Sequence, residues 1–192
     1  MDRIRERIVE HIEQDWPITL RLWDTLERQI NLNSDHHLPE PASAIRLARE
    51  CNIPSILPAA FYHLSRLSVF DDGNGAYDAD SGRRTAEWGL LSAQDLLCLM
   101  KGSRRLKVAV CGILSDFPCC ESDCTTINRL AVFKGIRDAC RHSCDILRIT
   151  RLHIENRPYE GKICYTCYSQ VRSNLAEFRE ELWTNLPNFF SL

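Results

Sequence analysis

The sequence has no long apolar run. None of its hydrophobic stretches reaches the about 20 apolar residues that a membrane-spanning helix needs, so no membrane span is expected within these 192 residues. The opening stretch, MDRIRERIVEHIEQDWPITL, is charged throughout and lacks the apolar core of a signal peptide. Excess charge of either sign is missing too. Twenty-four Lys+Arg stand against 26 Asp+Glu, a net −2, so bulk attraction to nucleic acid or to an anionic membrane is not the expected mode of action. Aromatics make up 8% and do not interleave with the basic residues, which argues against a stacking groove for single strands. No phosphate-binding glycine loop, serine triad or paired-carboxylate site can be read. Alternation with period two is absent as well, and with it the signature of a half-buried sheet.

Cysteine, by contrast, is abundant. There are ten, seven of them between Cys119 and Cys167. With no secretory pattern, the expected compartment is a reducing one inside the cell, cytoplasm or nucleus. A disulfide framework is disfavoured there. Clustered thiols in such a setting point first to a metal and second to catalysis.

Apolar spacing predicts helix nearly everywhere. Ile4, Ile8, Ile12 and Trp16 recur every four residues. Pro17 suits the first turn of a second helix carrying Leu22/Trp23, Leu26 and Ile30. NSDHHLPEP (33–41) reads as a connection, ASAIRLARECNI as a short helix bent near Pro54 and Pro58, and PAAFYHLSRL as its successor. The stretch 71–84, DDGNGAYDADSGRR, resembles a calcium loop only superficially. With Asp72 first, Tyr77 falls where the sharp turn needs glycine, so a solvated loop is expected. Ser92 and Asp95 form a capping-box-like start. Gly102 offers a break before a second helix from Ser103 to Leu114. A long helix then carries Phe133, Ile136, Cys140, Cys144 and Leu147, with both cysteines expected in the core. The last carries Cys164, Tyr168, Val171, Leu175, Phe178 and Leu182, and Pro187 should close it. The expected fold is an all-α, irregular multi-helix bundle of about seven or eight helices. Its segments are expected as a helical pair (1–40), a helical core with the exposed loop (41–118) and a Cys-rich helical part (119–192).

Cys164-Tyr-Thr-Cys167 is a C-x-x-C that opens a helix, where the helix dipole favours two thiolates and one turn can offer both to a tetrahedral ion. Cys120-x3-Cys124 supplies a second pair, with Cys119 as the alternative to Cys120. The resulting expectation is a closed structural zinc site of Cys120, Cys124, Cys164 and Cys167. Four thiolates leave no open position, so such a site folds the chain and catalyses nothing. Buried reduced thiols are the competing reading. A thiol-disulfide enzyme using Cys164 and Cys167 is a further alternative, although NRPYEGKI ahead of the pair provides no clear strand. Residues 101–157 carry 11 basic and 6 acidic side chains, leaving weak nucleic-acid binding as a third class. His142 lies two residues from both Cys140 and Cys144 and should point away from each. His153 and His36-His37 read as surface residues or spare ligands.

Several strings together resemble the helical region that follows the BTB/POZ fold in fungal BTB-domain proteins. They are RIRERIVEHIEQDWPITLRLWD, AIRLARECNIPSILPAAFYHLSRL, LLSAQDLLCLMKGSRRL and KICYTCYSQVRSNLAEFREELWTNLPNFFSL. The resemblance covers residues 1–68, about 88–106 and 163–192. It begins at what looks like the last helix of the BTB fold, the rest of which would lie ahead of Arg3. It implies a non-enzymatic adaptor whose partner is another protein. It also implies a cysteine pair ahead of the final C-x-x-C, matching Cys119/Cys120 and Cys124. Without the BTB fold to pack against, the Ile4, Ile8, Ile12 stripe is expected to be partly exposed or self-associating.

Overall fold

Helix boundaries in the computed structural model fall largely where prolines and capping side chains stand. The structure describes residues 2–30, 39–67, 86–112, 126–156, 159 and 162–192, with only the backbone of 2–5, 8, 30 and 126–129. The described residues form eight α-helices, two 3-10 turns and no β-strand, the all-α class that the helical spacing predicts. The loop 71–84, the His36-His37 pair and Cys119, Cys120 and Cys124 lie outside the described residues.

The chain divides into two compact units, one of Met1–Arg104 with Asn185–Leu192 and one of Arg105–Thr184. Within the first unit, residues before and after position 40 share one core. In the first unit, α1 (Asp2–Asp15) and α2 (Leu20–Ile30) precede α3 (Pro41–Cys51) and α4 (Leu57–Ser65). Trp16 at the end of α1 is buried beside His63, and Trp23 meets the edge of Tyr62 at 5.3 Å. Arg66 lies over the Trp23 ring and pairs with buried Glu27 at 3.1 Å. Pro17 stands ahead of α2 rather than inside it. Thr19 starts that helix, its hydroxyl accepting from the Leu22 amide at 3.3 Å.

Pro41 occupies the first turn of α3, where a missing N–H costs nothing. Glu40 caps that helix, accepting from the Ala42 and Ser43 amides, and also accepts from the Glu87 amide at 3.0 Å. One carboxylate thus ties a helix start to a distant stretch of chain. Burial raises its pKa, but the hydrogen bonds from Ser43, Glu87 and Ala42 outweigh that and hold it below the usual carboxylate value. Asn52 ends α3 in the left-handed conformation at φ 54°, a role asparagine tolerates.

The long helix α5 (Ala93–Gly112) begins with the expected box: the Ser92 hydroxyl accepts from the Asp95 amide at 3.1 Å, and Asp95 accepts from the Ser92 amide at 3.3 Å. Gly102 does not break it. A Cβ there would fall 1.9 Å from Phe190, whose ring stacks on Phe61. The glycine makes room for an aromatic ring rather than for a turn.

In the second unit, the expected long helix is two: α6 (Thr126–His142) and α7 (Ile146–Glu155). The split comes from Ser143-Cys144-Asp145. Asp145 accepts from the Arg148 amide at 3.1 Å and caps α7, while its own amide donates to Ser143 at 2.9 Å. The final helix, α8 (Tyr165–Phe190), runs through Pro187 instead of ending there. Within this unit, buried Arg179 of α8 donates to the Leu147 carbonyl and to Thr150 Oγ1 of α7. That contact orients the cysteine-bearing helix against its neighbour.

Candidate metal centre

Four features place the C-x-x-C pair. The helix α8 begins at Tyr165, so Cys164 is its N-cap and Cys167 the third residue of its first turn. The Cys164 carbonyl accepts the first helical bond, from the Tyr168 amide at 2.9 Å. Its sulfur accepts from the Cys167 amide at 3.5 Å, the contact that a capping side chain makes with the third residue of a helix. Cys164 is half-buried and Cys167 is 1% exposed. Both thiols are free of disulfides. Two sulfurs thus sit on one helix turn, with the Cys167 amide donating to the Cys164 sulfur.

The second pair, Cys120 and Cys124 with Cys119 as alternative, lies outside the described residues. Among the described residues, no three His, Cys, Asp or Glu side chains gather into a metal-binding group. Cys164 and Cys167 bring two thiols together at one helix start, short of the three side chains such a group needs.

The other cysteines part company. Cys140 is buried at 2% exposure, and burial pushes its thiol up to about 12. A thiol held protonated in this way is a poor nucleophile at neutral pH. Tyr159 nearby is pushed to about 12 by burial and then by Cys140, and it stacks on His153 at 5.4 Å. Burial lowers the His153 pKa, so His153 is a half-buried packing residue. Cys144 was expected in the core beside Cys140; it is exposed, because the helix ends before it. Cys98 is buried, Cys51 half-buried, and exposed Cys111 accepts from Arg141 at 3.9 Å. His142 is turned toward the Asp138 carbonyl, to which its Nδ1 lies 2.7 Å away, and takes no part in a Cys–His pair.

Sequence reasoning did not foresee Arg179 or the double role of Glu40. Neither lies in a local motif. A charged residue on the apolar side of α8 was the available signal for Arg179. No helix among the described residues is long and apolar enough to cross a membrane. Comparison of the chain with family models, with curated proteins and with solved structures finds no match.

Proposed function

We propose that this chain is a non-enzymatic helical protein-interaction module built around one structural zinc ion. Cys120, Cys124, Cys164 and Cys167 hold the metal, with Cys119 the alternative to Cys120. The observation that carries this reading is the start of α8, where Cys164 and Cys167 are unbridged and share one capped turn. Zinc bound by four thiolates joins two distant parts of the chain and leaves no position for a substrate. Its contribution in such sites is about 10–16 kcal/mol, as large as the stability of a whole domain.

The resemblance of residues 1–68, about 88–106 and 163–192 to the region after a BTB/POZ fold supports an adaptor role, with another protein as partner in the cytoplasm or nucleus. Self-association through Ile4, Ile8 and Ile12 of α1 belongs to the same reading and would show as a dimer in light scattering. Elemental analysis of purified protein tests the metal: about one zinc per chain is expected for a single closed site, lost on Cys124→Ser or Cys164→Ser together with helicity. Full helicity in a strong chelator without metal refutes it. Rapid alkylation of one of the Cys164/Cys167 thiols near neutral pH in metal-free native protein would instead favour a thiol enzyme.

A further inference from the structure

Three large apolar side chains stand exposed together on α5: Leu96 at 39%, Leu97 at 49% and Met100 at 70%. Spacings of three and four residues make them neighbours on the helix surface. The opposite side of the same stretch, Asp95, Cys98, Leu99 and Gly102, is buried. This part of α5 therefore has two apolar sides, and the core covers only one. Lys101 and Arg104 are also exposed and have no ion-pair partner among the described residues. After Asp95 the helix contains Lys101, Arg104, Arg105 and Lys107 and no carboxylate. Asp95 itself is engaged by Arg49 at 3.3 Å and by Ser92.

We infer that this face of α5 docks an acidic amphipathic helix of another protein. The partner's apolar stripe lies on Leu96, Leu97 and Met100, and its flanking carboxylates meet Lys101 and Arg104. The inference rests on the reading of the chain as an interaction module and gives that module's partner a chemistry. Methionine at the centre suits the task, because its thioether adapts to varied apolar shapes. A second copy of this chain fits poorly. A two-fold contact sets the same patch against itself and would bring two cationic stretches together with no carboxylate between them. The apolar centre disfavours phosphate backbones, and the face lacks the aromatic anchors typical of membrane-surface helices.

The test uses the full chain and a fluorescein-labelled helical peptide with a leucine stripe flanked by glutamates, followed by fluorescence anisotropy. A lysine-flanked version of the peptide, duplex DNA and phosphatidylserine vesicles serve as competing ligands. The glutamate peptide is expected to bind, to weaken with salt, and to lose about tenfold or more in affinity on Met100→Asp, the effect of removing a central apolar contact. The double variant K101E/R104E should prefer the lysine peptide. Failure of the glutamate peptide to bind, indifference to these substitutions, or preference of the unmodified chain for DNA or vesicles overturns the inference. Zinc content measured on the same samples separates the two proposals. Peptide binding by zinc-free chain would sink the metal site alone, and a zinc-loaded chain that ignores the peptide would sink the docking face alone.

Discussion

At the scale of single residues, Gly102 and Cys140 carry the clearest physical demands. Glycine inside a helix normally costs about 0.5–1 kcal/mol relative to alanine, so Gly→Ala usually stabilises. At Gly135 the nearest atom to an added Cβ is the Tyr159 hydroxyl at 3.7 Å, an ordinary contact. Gly135→Ala should follow the rule. At Gly102 the added carbon would sit 1.9 Å from a fully buried ring. Gly102→Ala should therefore destabilise by about 1–3 kcal/mol, the usual cost of overpacking. Urea denaturation of the two variants checks the opposite signs, and stabilisation by Gly102→Ala would contradict the packing described.

Cys140 makes a prediction about pH. Its thiol is protonated in both folded and unfolded chain below the ordinary value of 9.0. Above that, the unfolded chain ionises while the folded thiol stays neutral up to about 12. The unfolded state then binds fewer protons, so stability falls as pH rises through this window. Tyr159, raised from 10.0 to about 12, acts in the same direction. Denaturant midpoints that decline from pH 9 upward, and decline less steeply in Cys140→Ala, are the expected result. An unchanged slope in that variant would show that Cys140 is not held neutral by the fold.

At the scale of elements, the sequence made most helices legible and missed what interrupts or prolongs them. Periodicity placed α2, α3 and α8, which bury one side, and proline and capping side chains marked several helix starts. It failed at three points for identifiable reasons. Gly102 looks like a break until the ring that needs its space is known. Pro187 looks like a stop, yet α8 runs through it to Phe190, where the proline costs one N–H donor close to the helix end. The stripe through Cys140 and Cys144 continues with helical spacing, but Asp145 is a strong cap and starts a new helix. Asp145→Ala should destabilise by about 1 kcal/mol, the usual value of an N-cap. It should also raise amide exchange at Arg148, which donates to that carboxylate. Equal exchange rates in both proteins would mean the split of α6 and α7 has another cause.

At the scale of the whole molecule, the candidate site was half legible. The spacing of Cys164 and Cys167 and their position at a helix start could be read directly, and the cap geometry of α8 agrees with that reading. Cys120 and Cys124 lie outside the described residues, and their meeting with Cys164 and Cys167 is part of the proposal. Long-range juxtaposition is what a one-dimensional pattern conveys least, as Glu40 reaching the Glu87 amide also illustrates. A four-sulfur centre would add a covalent-strength tie of the same kind, holding the start of α8 to the segment around Cys124.

X-ray absorption at the zinc edge of the purified protein tests the central claim most directly. The account predicts four sulfur neighbours at about 2.3 Å and no nitrogen or oxygen ligand, with one sulfur replaced when Cys164 or Cys124 is changed to serine. A chain that binds no zinc, or a zinc shell containing histidine or water in the unmodified protein, would contradict it.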